Sequence, residues 1–245
     1  MANTVDPLVN ILAKRKQLFH KVVPFDGFND KLLVMDFTQA SPYQFADVAN
    51  DTLQFGSYIQ SLLQQHNSRY GIGGYAENRT IYSRSDIFNT DQHTVTGSKT
   101  EEPRRLHLGI DIWGSAGTPV YVPMGGIIHS FAFNDKFGDY GATIILQHQL
   151  DTIVFHTLYG HLSLADLQGL KEGKFVSQGE TLGHFGEPHE NGQWPPHLHF
   201  QIVKDMRVMK GDYPGVCKFS EKEQYLRNCP NPDLILQMMQ YAVTG

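Results

Sequence analysis

A chain of 245 residues with 40% apolar and 18% charged side chains, including 15 Phe and 11 Tyr, can bury a core without staples. That balance excludes general disorder, collagen and coiled coil, and the length suits one large domain or a catalytic domain with an appendage. Twenty basic against twenty-five acidic side chains leave −5, so no global positive field recruits nucleic acid or anionic lipid.

The N-terminus does not read as a signal peptide. Its apolar stretch, Leu8 to Leu12, is short, is interrupted by Asn10, and precedes rather than follows Lys14-Arg15-Lys16. No apolar run approaches the ~20 residues of a membrane span, so a cytoplasmic location is expected. Asp6-Pro7 suits the cap and first turn of a short helix carrying Leu8, Ile11 and Leu12. Phe55, Tyr58, Ile59, Leu62 and Leu63 follow the spacing of one buried face and predict a helix over 51–66. The glycines of Tyr70-Gly71-Ile72-Gly73-Gly74-Tyr75 predict a tight bend, and polar Asn89 to Thr100 a boundary. Fifteen of the 23 glycines lie between Gly97 and Gly192. There, short alternating segments at 119–123, 126–133, 142–148, 152–159, 180–185 and 197–203 predict a compact antiparallel β unit. Pro232 to Val243 is expected to close with a helix. The fold class is therefore α+β. A helical extension (1–100) and a short tail (206–245) flank a β-rich catalytic unit (101–205).

Twelve histidines against two cysteines mean that any metal is held by imidazole and carboxylate. In His197-Leu198-His199, residues two apart share a strand face, so His197, His199 and Gln201 oppose Leu198, Phe200 and Ile202. Taken alone, H-x-H reads more often as two exposed histidines on an edge strand. On an extended His107-Leu108-Gly109-Ile110-Asp111, His107 and Asp111 share a face, with Gly109 leaving space between them. His107, Asp111 and His199 offer three zinc-type ligands and leave a fourth position for water, the composition of a catalytic site. Tyr159-Gly160-His161-Leu162 ends a strand-like run, and His156 is the competitor for the role of His161. The remaining histidines, among them His93 and His148, read as structural or exposed.

Together these elements resemble the lysostaphin-like, or LytM-type, zinc endopeptidases. The match is carried by His107/Asp111, Tyr159 to Leu162 and His197 to Phe200, and spans about 103–203. Around them, Gly117 to Pro123 with Gly125 to Ile128 resembles the family's opening hairpin, and Val176 to Gly183 its later one. The resemblance implies a barrel-sandwich with a duplicated hybrid motif and one zinc per chain on His107, Asp111 and His199. It also implies catalytic roles for His161 and His197, and a peptidoglycan-fragment or small glycine-containing peptide as substrate. Flanking segments at 69–75 and 211–216 are similar to those of peptidase-like modules fused to class-III aminotransferases.

The residue types then suggest a mechanism. One imidazole takes a proton from water and the other donates to the oxyanion, with His197 assigned the water side and His161 the oxyanion side. No glutamate accompanies the ligands as an H-E-x-x-H mechanism requires. Two other readings compete: an idle binding or regulatory module of the same fold, and a histidine phosphocarrier, which needs no His-x-x-x-Asp pair. Cys217 and Cys229 are expected as free thiols. The apolar stripe at 55–63 has to be buried, so the N-terminal helices are expected to pack on the β unit. The 70–75 bend, with Glu77 and Arg79 close behind, either narrows the zinc groove or lies remote from it.

Overall fold

Asp6 caps the first helix as its residue type suggests. Its Oδ1 accepts from the backbone N–H groups of Leu8 (3.0 Å) and Val9 (3.2 Å), and Pro7 opens α1 (Pro7–Lys14). This computed structural model describes residues 6–43, 45–89 and 102–245. A one-turn α2 (Phe45–Val48) precedes α3 (Thr52–Gln65), which Asp51 caps by accepting from Leu53 and Gln54, each at 2.9 Å. Phe55, Ile59, Leu62 and Leu63 of α3 are buried as the spacing predicts, with Tyr58 half-buried at the edge of the stripe. No described helix is long and apolar enough to cross a membrane.

The strands are β1 (Leu32–Val34), β2 (Tyr70–Gly73), β3 (Arg104–His107), β4 (Ile110–Trp113), β5 (Pro119–Tyr121), β6 (Gly126–Asn134) and β7 (Gly141–Leu150). They continue with β8 (Ile153–Leu162), β9 (Phe175–Val176), β10 (Thr181–His184), β11 (His197–Val203), β12 (Val216–Lys218) and β13 (Ala242–Val243). The main sheet runs β13-β1-β2-β4-β11-β8-β7-β6-β9; β5 pairs with β10 and β3 with β12. Every segment of the expected β unit is present. The two hairpin-like stretches do not close on themselves, however: β5 pairs with β10 and β6 with β9, so each stretch sends strands to the other. Among the described residues the sheet stays open, so the fold is a β-rich, sandwich-like α+β arrangement rather than a closed barrel.

The two faces of the sheet divide the labour. Leu198, Phe200 and Ile202 of β11 join Ile110, Ile112 and Ile144 in one apolar core. The opposite face carries Trp113, which packs on Phe37 (5.3 Å between ring centres) and on Phe55 of α3 (5.9 Å). Helix α3 thus packs on the face of the sheet that carries Trp113. Yet this part of the chain is not only helical. Tyr70 to Gly73, expected as a bend, is the buried strand β2, paired with both β1 and β4. Its glycines serve close packing: a Cβ on Gly71 would lie 2.6 Å from Met35 Cε. The C-terminal helix is also shorter than expected. After α4 (Lys222–Asn228), α5 (Asp233–Leu236) stops at Gln237, whose φ of 52° is left-handed, and β13 follows. The boundary at 89–100 falls, apart from Asn89, outside the described residues, as does His93. Cys217 and Cys229 are buried free thiols.

A chain beginning at residue 96 would bare one edge of β4 and uncover Trp113. Unpaired edges and apolar surface drive association. That truncation is therefore expected to aggregate, read as loss of soluble protein and a void-volume peak in gel filtration. A soluble monomer melting like the full chain would show that residues 96–245 stand alone.

Candidate metal centre and active site

Four strands bring one row of residues into register. Gly73 of β2 faces Asp111 of β4, Asp111 faces His199 of β11, and His199 faces Gly160 of β8. The two functional side chains are flanked by glycines that make room for larger partners. A Cβ on Gly73 would lie 2.7 Å from Arg79 Nη2, and one on Gly160 2.5 Å from Tyr140 Cδ1. His107 reaches the row from a different strand. β3 ends at His107 and the chain changes sheets through Leu108-Gly109 before β4, so the expected single extended segment is broken. Gly109 still leaves the space anticipated for it, because a Cβ there would meet His199 Nε2 at 2.6 Å.

His107 Nε2, Asp111 Oδ1 and His199 Nδ1 form a triangle with sides of 3.0, 3.0 and 3.3 Å. A tetrahedral ion with ligand bonds of ~2.0–2.1 Å requires donor separations of about 3.3 Å. These three buried residues therefore fit a metal ion. Their other polar atoms are already engaged. His107 Nδ1–H donates to the Gly74 carbonyl (3.1 Å), and His199 Nε2–H donates to Gln201 Oε1 (2.9 Å). Tyr140 Oη stands 3.4 Å from His199 Nε2. Asp111 Oδ2 accepts from the guanidinium of Arg79. Burial works to raise the Asp111 carboxyl, but the Arg79 guanidinium beside it holds it well below the usual carboxylate range. Burial, together with Arg79, pushes His107 down to about 4, so its ring is neutral at neutral pH, the state that binds metal.

His197 and His161 lie beside this triangle. β11 is an interior strand, so the exposed-edge reading of H-x-H does not hold: His197 and His199 are both buried. His197 stacks on Trp113 (3.9 Å, 14° between planes) and lies 4.1 Å from the His161 ring. Each ring is anchored through Nδ1–H, which in His197 donates to the Pro195 carbonyl (2.7 Å) and in His161 to that of Asn191 (2.8 Å). Nε2 of each is thereby left as a bare acceptor. His161 carries a left-handed φ of 64°, a conformation uncommon for a residue with a side chain. Burial pushes His197 down to about 4, and burial with His197 alongside holds His161 well below its ordinary value.

His156 is excluded from this group. It lies further along β8, opposite Val203 of β11 rather than His199, and packs against His129 (4.9 Å). His148 is structural, buried with Nδ1 3.1 Å from the Gly125 carbonyl and Nε2 2.7 Å from Thr157 Oγ1.

A pocket of about 540 Å³ of empty space, open solvent included, lies over the site and touches Asp111, His161, His197 and His199. One of its walls comes from the N-terminal part of the chain, through Arg79, Ile81, Tyr82 and Phe88. The 70–79 segment is thus not remote from the site. What sequence reasoning missed is how close it comes: Arg79 is bonded to Asp111 itself.

The chain is similar to known proteins. Peptidase family M23 matches residues 105–211. An L-Ala–D-Glu endopeptidase of Bacillus subtilis is 31% identical over 107 residues, 42% of this chain and 31% of that protein. A DD-carboxypeptidase/endopeptidase of Neisseria meningitidis is 31% identical over 131 residues, 53% of this chain and 26% of that protein. Among solved structures, a zinc-containing peptidase from Vibrio cholerae is 28% identical, covering 51% of this chain and 35% of that one with a TM-score of 0.35. The chain thus spans less than a third of the length of these two curated relatives. The family match takes in the strands that bring His107, Asp111, His161, His197 and His199 together, and over residues 105–211 the chain matches peptidase family M23.

Proposed function

We propose that this protein is a zinc-dependent metallopeptidase that hydrolyses peptide bonds in small peptidoglycan-type fragments. The observation that carries the reading is the donor triangle of His107, Asp111 and His199, whose sides suit a tetrahedral ion. The curated relatives are named as endopeptidases, which supports hydrolysis as the reaction class. Zinc held there supplies a Lewis acid for the scissile carbonyl and lowers the pKa of a bound water toward ~7.

The chain's own residues supply the proton chemistry. With Nδ1–H fixed on backbone carbonyls, neutral His161 and His197 each present Nε2 as an acceptor. Neither neutral ring donates from Nε2, so the two roles become sequential: the ring that takes a proton from water is then a donor. With 4.1 Å between ring centres, two imidazolium charges disfavour each other, and the pair carries one proton at a time. In this scheme His197 accepts the proton from water and is then the donor, and His161 serves the oxyanion side only when it carries that one proton in place of His197.

The wall formed by residues 79–88 supports a preference for small or terminal peptides over polymeric wall. The competing readings fit less well. A phosphocarrier needs an accessible ring, whereas His161 and His197 are 5% and 2% exposed. An idle module has no use for a complete ligand triangle with two anchored histidines beside it. The test is purified protein with its metal content measured, then incubated in parallel with soluble stem-peptide fragments and with intact sacculi. One zinc per chain and release of amino groups from the fragments is the expected result. A zinc-loaded protein that cleaves only sacculi would overturn the size preference, and a protein that takes up no zinc would overturn the peptidase reading.

A further inference from the structure

Asp111 has two carboxylate oxygens, and the structure gives them different partners. Oδ1 belongs to the donor triangle, at 3.0 Å from His199 Nδ1 and 3.3 Å from His107 Nε2. Oδ2 accepts from Arg79, whose side chain is fully buried. The guanidinium is itself held on several sides. Its Nε donates to Glu77 Oε2 (2.7 Å), Nη1 lies 3.3 Å from Tyr82 Oη, and the Phe37 ring lies beneath it at 5.1 Å. Gly73 supplies the space, as the 2.7 Å approach of its virtual Cβ to Nη2 records.

The backbone around Arg79 is laced to the strand that carries His107. Ala76 N–H donates to the His107 carbonyl (3.0 Å), His107 N–H to Glu77 (2.9 Å), and Arg79 N–H to Arg105 (2.9 Å). The Gly74 carbonyl accepts from His107 Nδ1–H (3.1 Å). Two of the three proposed ligands are therefore oriented by residues 74–79, which precede the family-matched region.

Resting on the zinc reading above, we propose that Arg79 is a positioning residue of the metal centre, restricting Asp111 to a single ligating oxygen. A carboxylate free at both oxygens can swing between one- and two-oxygen binding; one oxygen tied to a rigid, planar donor cannot. The inference goes beyond the ligand set because it makes the segment at 74–79 part of the site rather than a neighbour of it.

Charge and geometry have to be separated in the test, since a buried cation beside a dication also repels it. The double substitution Glu77→Gln/Arg79→Met does so by removing one positive and one negative charge together. Glu77 and Arg79 leave together and Asp111 keeps His199 and His107 beside it, so the zinc-loaded double variant is expected to fold. Zinc affinity is measured by chelator competition, and coordination by the visible absorption of the cobalt-substituted full chain. Outer partners of metal ligands typically contribute 10–100-fold in affinity, and a loss of about that size is expected. The cobalt absorption should weaken in parallel as Asp111 takes up a second bond and the site leaves four-coordinate geometry. Arg79→Lys keeps the charge without the planar fork and serves if the double variant fails to fold; about 10-fold weaker zinc binding is expected of it. Wild-type affinity and spectrum in a folded variant would overturn the inference and leave the zinc reading standing. A wild-type protein that binds no zinc would overturn both.

Discussion

Asp111→Ala is expected to leave the purified protein almost free of zinc, with affinity reduced by more than the 10–100-fold that loss of an outer partner brings. Two effects act in the same direction. The substitution removes one of three ligands, and it also removes the carboxylate that lies between Arg79 and the ion position. Arg79 is fully buried, so its charge is then balanced by Glu77 alone and faces the site directly. Asp111→Ala should therefore bind metal worse than His107→Ala, which removes a neutral ligand and leaves Asp111 to screen Arg79. Elemental analysis of each variant after gel filtration gives the comparison. Full occupancy in Asp111→Ala would take that residue out of the ligand set. Equal losses in the two variants would show that Arg79 adds nothing to the effect.

The parts of this architecture that were legible in the sequence are those specified by local periodicity. Period two in His197 to Ile202 put both histidines on one face and the apolar residues on the other, because a strand allows only that arrangement. The spacing from Phe55 to Leu63 likewise gave the buried stripe of α3. Contacts made at a distance left no such trace. β1, β2 and β13 are short, and two of their pairings are parallel between segments far apart in the chain, so no alternation announces them. Gly71 and Gly73 looked like a bend because glycine permits one; here they admit Met35 and Arg79 instead. The two hairpin-like stretches were recognisable, but not their exchange of partners, since a turn signal does not say which strand lies alongside. His161 was found as a candidate without its left-handed backbone, which nothing in Tyr159 to Leu162 requires.

His161 and His197 are expected to separate metal binding from turnover: substitution should leave zinc in place and lower kcat/KM on fragment peptides by about 10²–10⁴-fold. Neither ring supplies an atom to the donor triangle, and both fix Nδ1–H on carbonyls, so their free Nε2 atoms are left for proton transfer. The choice of variant follows from the backbone. At His161 the φ of 64° strains alanine, whereas asparagine enters that region more readily and is too short to replace the imidazole. His161→Asn is thus the cleaner probe. At His197 the ring rests on Trp113, and His197→Gln retains more of that contact than alanine does. Because the pair is taken to carry one proton between two rings, the double variant should fall close to the worse single one instead of multiplying the losses. Multiplied losses with zinc retained would mean two independent proton transfers. Zinc lost from either single variant would make that histidine a support of the metal centre, and wild-type rates in both would remove the pair from the chemistry.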